Sequence, residues 1–242
     1  MRLHPLVCAH RGRSGVAPEN TMAAYEAAIA IGADFLELDV HRTADGEIVC
    51  LHDATVDRTT DGSGLVAEMT LAQVRALDAG SWKGEAFAGE RIPRLADVLQ
   101  TIAPRIVVDI EIKDRGIAPQ VVEVIHAADA LRRATIVSFD TTDLHAAKTA
   151  DAALACGLIT SGPGADSPEA IHELIAVALA AGANFVSCAH PKLTPTLVRE
   201  CRLAGLGIMA WTMDDPADLQ RMIDLRVDAL VSNYPERALE LL

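Results

Sequence analysis

The sequence predicts a single α/β domain built as a (β/α)8 barrel, on three observations. Apolar strand-like runs alternate with Ala-rich helical stretches eight times, β first and α last. The length of 242 residues suits eight such units closed into a barrel rather than an open doubly wound sheet. The polar residues that interrupt the apolar runs fall at their C-terminal ends, where barrels of this kind carry their active sites.

The elements follow in order. The first strand, 6–10, ends in His10-Arg11-Gly12. Asn20 or Thr21 is placed to cap a helix at 20–31, and Gly32 stands past its end. Strand 35–43 carries Glu37-Leu38-Asp39. Asp45-Gly46, between apolar runs, predicts a hairpin with a two-residue turn, pairing Ala44 with Glu47 and Asp39 with His52. Residues 54–92 form a polar, Gly-rich insertion after the second strand, with a helix at 70–77, expected near the barrel mouth. Further strands are expected at 105–113, 135–140, 154–159, 184–189, 207–213 and 228–233. The helices between and after them fall at 95–102, 117–130, 142–150, 167–181, 195–204, 216–225 and 235–242. Pro195 and Pro216 open helices after Thr194 and Asp215, where a missing N–H costs nothing. No linker interrupts the chain, so 1–242 read as one domain.

Composition narrows the function. A net charge of −13 argues against non-specific binding to nucleic acid or anionic membrane. It leaves room for an anionic small molecule, because a bound metal or a few cations can dominate locally. The five cysteines, with no C-x-x-C pair, read as packed thiols. No apolar run reaches the ~18 residues of a membrane span, and the first strand begins too near Met1 for a signal peptide. The expectation is a soluble cytoplasmic protein.

The strand ends carry the chemistry. Glu37 and Asp39 differ by two, so both project from one face of their strand; Glu111 and Lys113 do the same. Leu38, Ile110 and Ile112 then face the helices. Three converging carboxylates repel one another and take up protons unless a cation intervenes. All-oxygen ligation suits Mg²⁺, Ca²⁺ or Mn²⁺. The competing reading is separate salt bridges to Arg11, Lys113 and Arg42. His10 and His52 flank the carboxylates as a candidate acid–base pair, either way round, and Arg11 and Lys113 add charge where an anion would sit. Metal, two histidines and two cations fit cleavage of a phosphate ester. Trp211 reads as a pocket wall, and His190 and Lys192 as possible substrate contacts. His4, His126, His145 and His172 read as surface residues. His41 shares the face of Glu37 and Asp39, but it lies beyond the barrel, which predicts exposure.

The ordered motifs AHRG, APENT, GADFLELDVHRTADGEIVCLHD, DRTTDGSG, DIEIK, SFD, WTMD and SNYPE resemble the glycerophosphodiester phosphodiesterase family from Val7 to about Glu236. The resemblance implies a barrel of the phosphatidylinositol-phospholipase-C-like type that hydrolyses glycerophosphodiesters to glycerol 3-phosphate and an alcohol. Carried over by position, it implies Glu37, Asp39 and Glu111 as ligands of a divalent cation and His10 and His52 as the acid–base pair. It likewise implies Arg11 and Lys113 on the phosphate and Trp211 on the glycerol side. The partner is then a soluble small-molecule diester, with no nucleic acid and no stable membrane association. A lysophospholipase D or a polyol-phosphate phosphomonoesterase would keep the same site; the insertion offers a lipid Leu65, Val66, Met69, Trp82 and Phe87, but it is more polar than apolar, which favours a soluble diester. A catalytically dead binding protein would lack motif residues, and here all are present. Barrels of unrelated phosphate chemistry often carry a Gly-rich loop after a late strand, where this chain has Ser232-Asn233-Tyr234-Pro235. Headgroup, choice of metal and oligomeric state stay open at this level.

Overall fold

The computed structural model describes residues 4–242. Among these, eight parallel strands close into a barrel: β1 (Leu6–Ala9), β2 (Phe35–Arg42), β4 (Val107–Ile112), β5 (Ala134–Ser138), β6 (Ala155–Thr160), β7 (Phe185–Ala189), β8 (Gly207–Trp211) and β9 (Ala229–Ser232). Pairing of β1 with both β9 and β2 closes the ring. Strand β3 (Ile48–Cys50) is the exception, antiparallel to the end of β2.

Helices α1 (Met22–Ala30), α3 (Leu95–Thr101), α4 (Ala118–Ala127), α5 (Thr141–Ala150), α6 (Pro168–Ala180), α7 (Pro195–Leu203), α8 (Pro216–Asp224) and α9 (Pro235–Leu239) follow the strands. Their starts obey local chemistry. Thr21, Asp140, Ser167, Thr194 and Asp215 each accept a first-turn N–H, and prolines sit at the first turns of α6, α7, α8 and α9. None of the helices in the described residues is long and apolar enough to cross a membrane.

Strand parity sorts the core. Leu36, Leu38, Val40, Ile110, Ile112 and Ile136 point outward and pack with helix residues such as Tyr25, Leu95, Leu99 and Ile125. Cys8, Phe35, Met209, Ala229 and Val231 point inward and fill the barrel. Gly157 is required there, since a Cβ would run into the Phe185 ring. All five cysteines are free, buried thiols.

The expected hairpin needs correction. The hairpin is closed by a three-residue loop, not two: Thr43 N–H donates to Glu47 O, and Gly46 N–H donates to Thr43 O with Gly46 at φ +87. The Thr43 hydroxyl also donates to Asp45 and accepts Glu47 N–H, favouring this tighter closure. The register therefore shifts by one: Val40 pairs with Cys50, and Asp39 O accepts from Leu51 N–H rather than facing His52. His190 follows the end of β7 directly and opens a short 3-10 turn (His190–Lys192).

Between β3 and α3, residues 54–92 pack Val56, Val66, Val74, Ala79 and Ile92 against Val49 of β3 and Leu51 in a small separate core. Helix α2 (Leu71–Val74) is shorter than the expected 70–77, because a capping box between Thr70 and Gln73 starts it and a single turn follows.

Candidate active site

Register, more than any single residue, builds the site. In the parallel β2–β4 pair Glu37 lies beside Asp109 and Asp39 beside Glu111, so the inward positions of two strands form a ladder of acids. Oxygens of Glu37, Asp39 and Glu111 lie within 4.8 Å of one another. Lys113 follows on the same face and reaches Glu111 at 2.8 Å and Asp39 at 3.5 Å.

The end of β1 completes the group. Arg11 adopts the left-handed conformation at φ +55, a departure that costs a non-glycine residue about 1–3 kcal/mol. In return its backbone N–H donates to Glu37 Oε2 at 2.9 Å, and its guanidinium lies 3.2 Å from Asp39. Asn20, also left-handed, donates to Asp39 Oδ2 at 2.8 Å and accepts the Asp39 N–H. The opening motif APENT thus does more than cap a helix.

These cations do not satisfy the triad. Glu37 Oε1 and Asp39 Oδ1 are buried and without a hydrogen bond. Burial, then the charges of Asp39 and Glu111, hold the Glu37 carboxyl well above its ordinary range; burial and Asp39 likewise raise Glu111. Burial works against the Lys113 ammonium, but Asp39 and Glu111 outweigh it and raise its pKa. Three converging carboxylates, two of them with a buried oxygen left without a hydrogen bond, are the donor set of a hard divalent cation, so the residues fit such an ion. The expected alternative bridge to Arg42 does not form; that residue gives its backbone N–H to Asp114 instead.

The two histidines meet different neighbours. His10 Nδ1 is 2.7 Å from Asn233 Oδ1, and Asn233 is oriented by Asp214, which accepts from its Nδ2 at 2.7 Å. An amide oxygen only accepts, so Nδ1 carries the proton and Nε2, 3.9 Å from Glu37 Oε2, keeps its lone pair. Burial and the nearby Arg11 lower the pKa of His10. His52 Nδ1 is instead 2.7 Å from the Asp53 carboxylate. The hydrogen bond from Arg58 holds Asp53 down at about 2, against the effect of burial and with help from His52. Asp109, deeper in the barrel, is pushed up to about 7 by burial while Thr135 donates to it.

His10, Arg11, Glu37, His52, Glu111, Lys113 and Trp211 line one cavity of about 180 Å³, with Asp39 buried behind it. Its opposite wall is apolar: Val137, Phe139, Ile159, Met209, Trp211 and Val231. Trp211 donates to Ser187 O at 2.9 Å, and Phe139 meets its ring edge-on at 6.0 Å and 82°. His190 and Lys192 are not brought in: Arg221 donates to His190 Nδ1, and Lys192 packs over Gly162. His126, His145 and His172 are exposed, as expected, and so is His4.

His41 overturns its expected exposure. It is buried, with Nδ1 2.7 Å from Asp114 Oδ1 and Nε2 3.1 Å from the carbonyl oxygen of His52. Both partners accept, so both ring nitrogens donate and the ring is a cation; burial opposes this, and Asp114 outweighs it to raise the pKa. The parity with Glu37 and Asp39 was the available signal. What overrides the expected exposure is the loop after β4, which folds back over β2. Asn233 and Asp214, which follow β9 and β8 far along the chain from Glu37, gave no such parity signal.

Comparison with known proteins identifies the family. The profile of the glycerophosphoryl diester phosphodiesterase family matches residues 10–237. A glycerophosphodiester phosphodiesterase of Caldanaerobacter subterraneus subsp. tengcongensis is 38% identical over 242 residues, covering 98% of this chain and 97% of that one. The crystal structure of a glycerophosphodiester phosphodiesterase from Agrobacterium tumefaciens superimposes with a TM-score of 0.85 at 30% identity, over 97% of this chain and 98% of that one. An Oleispira antarctica phosphodiesterase, solved in complex with the product sn-glycerol-3-phosphate, superimposes with a TM-score of 0.86 at 29% identity, over 98% of this chain and 96% of that one.

Proposed function

The chain belongs to the glycerophosphoryl diester phosphodiesterase family, and from that premise we propose that it hydrolyses soluble glycerophosphodiesters to glycerol 3-phosphate and an alcohol. The observation that carries the reading is one cavity holding the acidic triad, both histidines and both cations. Glu37, Asp39 and Glu111 would hold a divalent cation, Mg²⁺, Ca²⁺ or Mn²⁺, whose charge, when bound, offsets that on a non-bridging phosphate oxygen. Arg11 and Lys113 neutralise the remaining phosphate charge as it grows toward the transition state. Trp211, with Phe139 against it, walls the glycerol side.

The neighbours of the histidines support distinct roles. His10, with its Nδ1 proton committed to Asn233 and its pKa lowered, presents a free Nε2 and serves as the base that takes the nucleophile's proton. His52, its Nδ1 hydrogen-bonded to the Asp53 carboxylate, lines the same cavity and gives a proton to the leaving alkoxide. The insertion 54–92 is part of this proposal as the segment that flanks the site. Lacking a membrane-spanning helix among the described residues, and strongly acidic, the chain is expected to act on soluble diesters in the cytoplasm.

The test is a release assay on chelator-stripped protein, with Mg²⁺, Ca²⁺ or Mn²⁺ added back. The substrates are glycerophosphocholine, glycerophosphoethanolamine, lysophosphatidylcholine and glycerol phosphates. Glycerol 3-phosphate from the soluble diesters, dependent on added metal, is the expected result. Turnover of monoesters alone, or of diesters in the presence of excess chelator, would overturn it.

A further inference from the structure

The insertion touches the site through an arginine that the mechanism leaves unused. Arg58 donates through Nε to Asp53 Oδ2 at 2.6 Å, and through its two terminal nitrogens to both oxygens of Glu19 at 2.8 Å. Asp53 holds the ring of His52 at 2.7 Å, and Glu19 Oε1 accepts from Arg11 at 2.9 Å. An unbroken chain of alternating charge therefore runs from His52 through Asp53, Arg58 and Glu19 to Arg11.

From this chain we propose that Arg58 is a positioning residue of the active site, coupling the histidine at the end of the hairpin to the phosphate-holding arginine after β1. The proposal rests on the phosphodiesterase reading above.

Two physical consequences give it content. By fixing Asp53 Oδ2, Arg58 turns Oδ1 toward His52 and keeps a partly exposed carboxylate from swinging into solvent. By occupying both Glu19 oxygens, it spreads the charge that would otherwise fall on Arg11 alone. Glu19 is the built-in rival of the substrate phosphate for the Arg11 guanidinium, and Arg58 restrains that rival. Burial pushes the Glu19 carboxyl up, but Arg58 and Arg11 outweigh it and hold it at about 2, so Glu19 is fully charged at neutral pH. Isolated surface ion pairs contribute little; a bidentate, networked arginine is the exception. The opposite end of the insertion provides a contrast, with Lys83 donating to Ser14 O at 2.7 Å on the same loop without touching any charged group of the site.

The experiment compares wild type, R58Q, R58K, E19Q, R58Q/E19Q and K83M. It measures kcat and KM on glycerophosphocholine, inhibition by glycerol 3-phosphate, and Tm. We expect R58Q to raise KM and the glycerol 3-phosphate inhibition constant ~10-fold and to lower kcat, the scale of losing hydrogen bonds to a charged group. E19Q added to R58Q should bring KM most of the way back while kcat stays low, because Asp53 remains unheld. R58K should resemble R58Q, since one ammonium cannot bridge two carboxylates. K83M should leave kcat and KM at wild-type values. Equal KM in wild type and R58Q, full activity in R58K, or additive losses in R58Q/E19Q would each overturn the proposal. A wild type without diesterase activity would instead overturn the reading beneath it.

Discussion

The two halves of the barrel mouth are built from opposite chemistry. On one side β1, β2, β4 and the hairpin present His10, Arg11, Glu37, Asp39, His52, Glu111 and Lys113; on the other β5 to β9 present Val137, Phe139, Ile159, Met209, Trp211 and Val231. The charged residues come from positions as far apart as 10 and 113, yet β1, β2 and β4 are neighbours in the closed sheet. Closing the ring concentrates unlike residues on one arc, where they can screen and orient each other. The remaining arc stays free to act as a wall. The charged arc should therefore govern turnover, and the apolar arc chiefly binding.

The largest effect should come from the triad. D39N or E37Q should lower kcat by at least ~10³-fold, the several kcal/mol of charge stabilisation a metal site supplies, and should abolish the response to added metal; retention of metal-dependent rate would break the division. H10A and H52A come next, each costing ~10²–10⁴-fold in kcat. Because its pKa is lowered, His10 stays neutral to below pH 6.5, so the rate should fall only as pH drops through a value beneath that. An acidic limb of kcat/KM lying above pH 6.5 would contradict the base role.

W211A and F139A sharpen the other side. Each should raise KM by about 10-fold while leaving kcat within a few-fold, as expected for loss of apolar contact worth about 1–3 kcal/mol. A collapse of kcat with unchanged KM would place chemistry on the apolar arc.

The smallest effect is on stability. H41Q should cost about 2 kcal/mol, the scale of hydrogen bonds to charged groups, and lower Tm by several degrees. The folded pKa of His41 is raised, so its contribution is full below about pH 6.5 and is lost as pH rises through the folded value. The gap in Tm between wild type and H41Q should therefore shrink toward alkaline pH; a gap that widens would refute the pair.

Much of this arrangement was legible in the sequence because strand parity is strict. Glu37 with Asp39, and Glu111 with Lys113, need only a period of two and a buried opposite face. His10 and Arg11 needed only their place at a strand end. Reasoning along one chain failed where a loop crossed between strands. The hairpin register moved because Thr43 and Gly46 favoured a three-residue loop. His41 was buried by Asp114 from the segment after β4, and His10 is oriented by Asn233 and Asp214 from the far end of the chain. Those partners are set by tertiary closure, which no local period encodes.

The division of labour between the histidines is tested most directly by the leaving group. Single-turnover rates of H10A and H52A should be measured on a glycerophosphodiester of choline and on one of 4-nitrophenol, whose phenolate leaves without a proton. The account predicts that H52A recovers most of its rate on the nitrophenyl diester while H10A does not. Recovery by H10A, with H52A still slow, would reverse the assignment and contradict the reading of their neighbours.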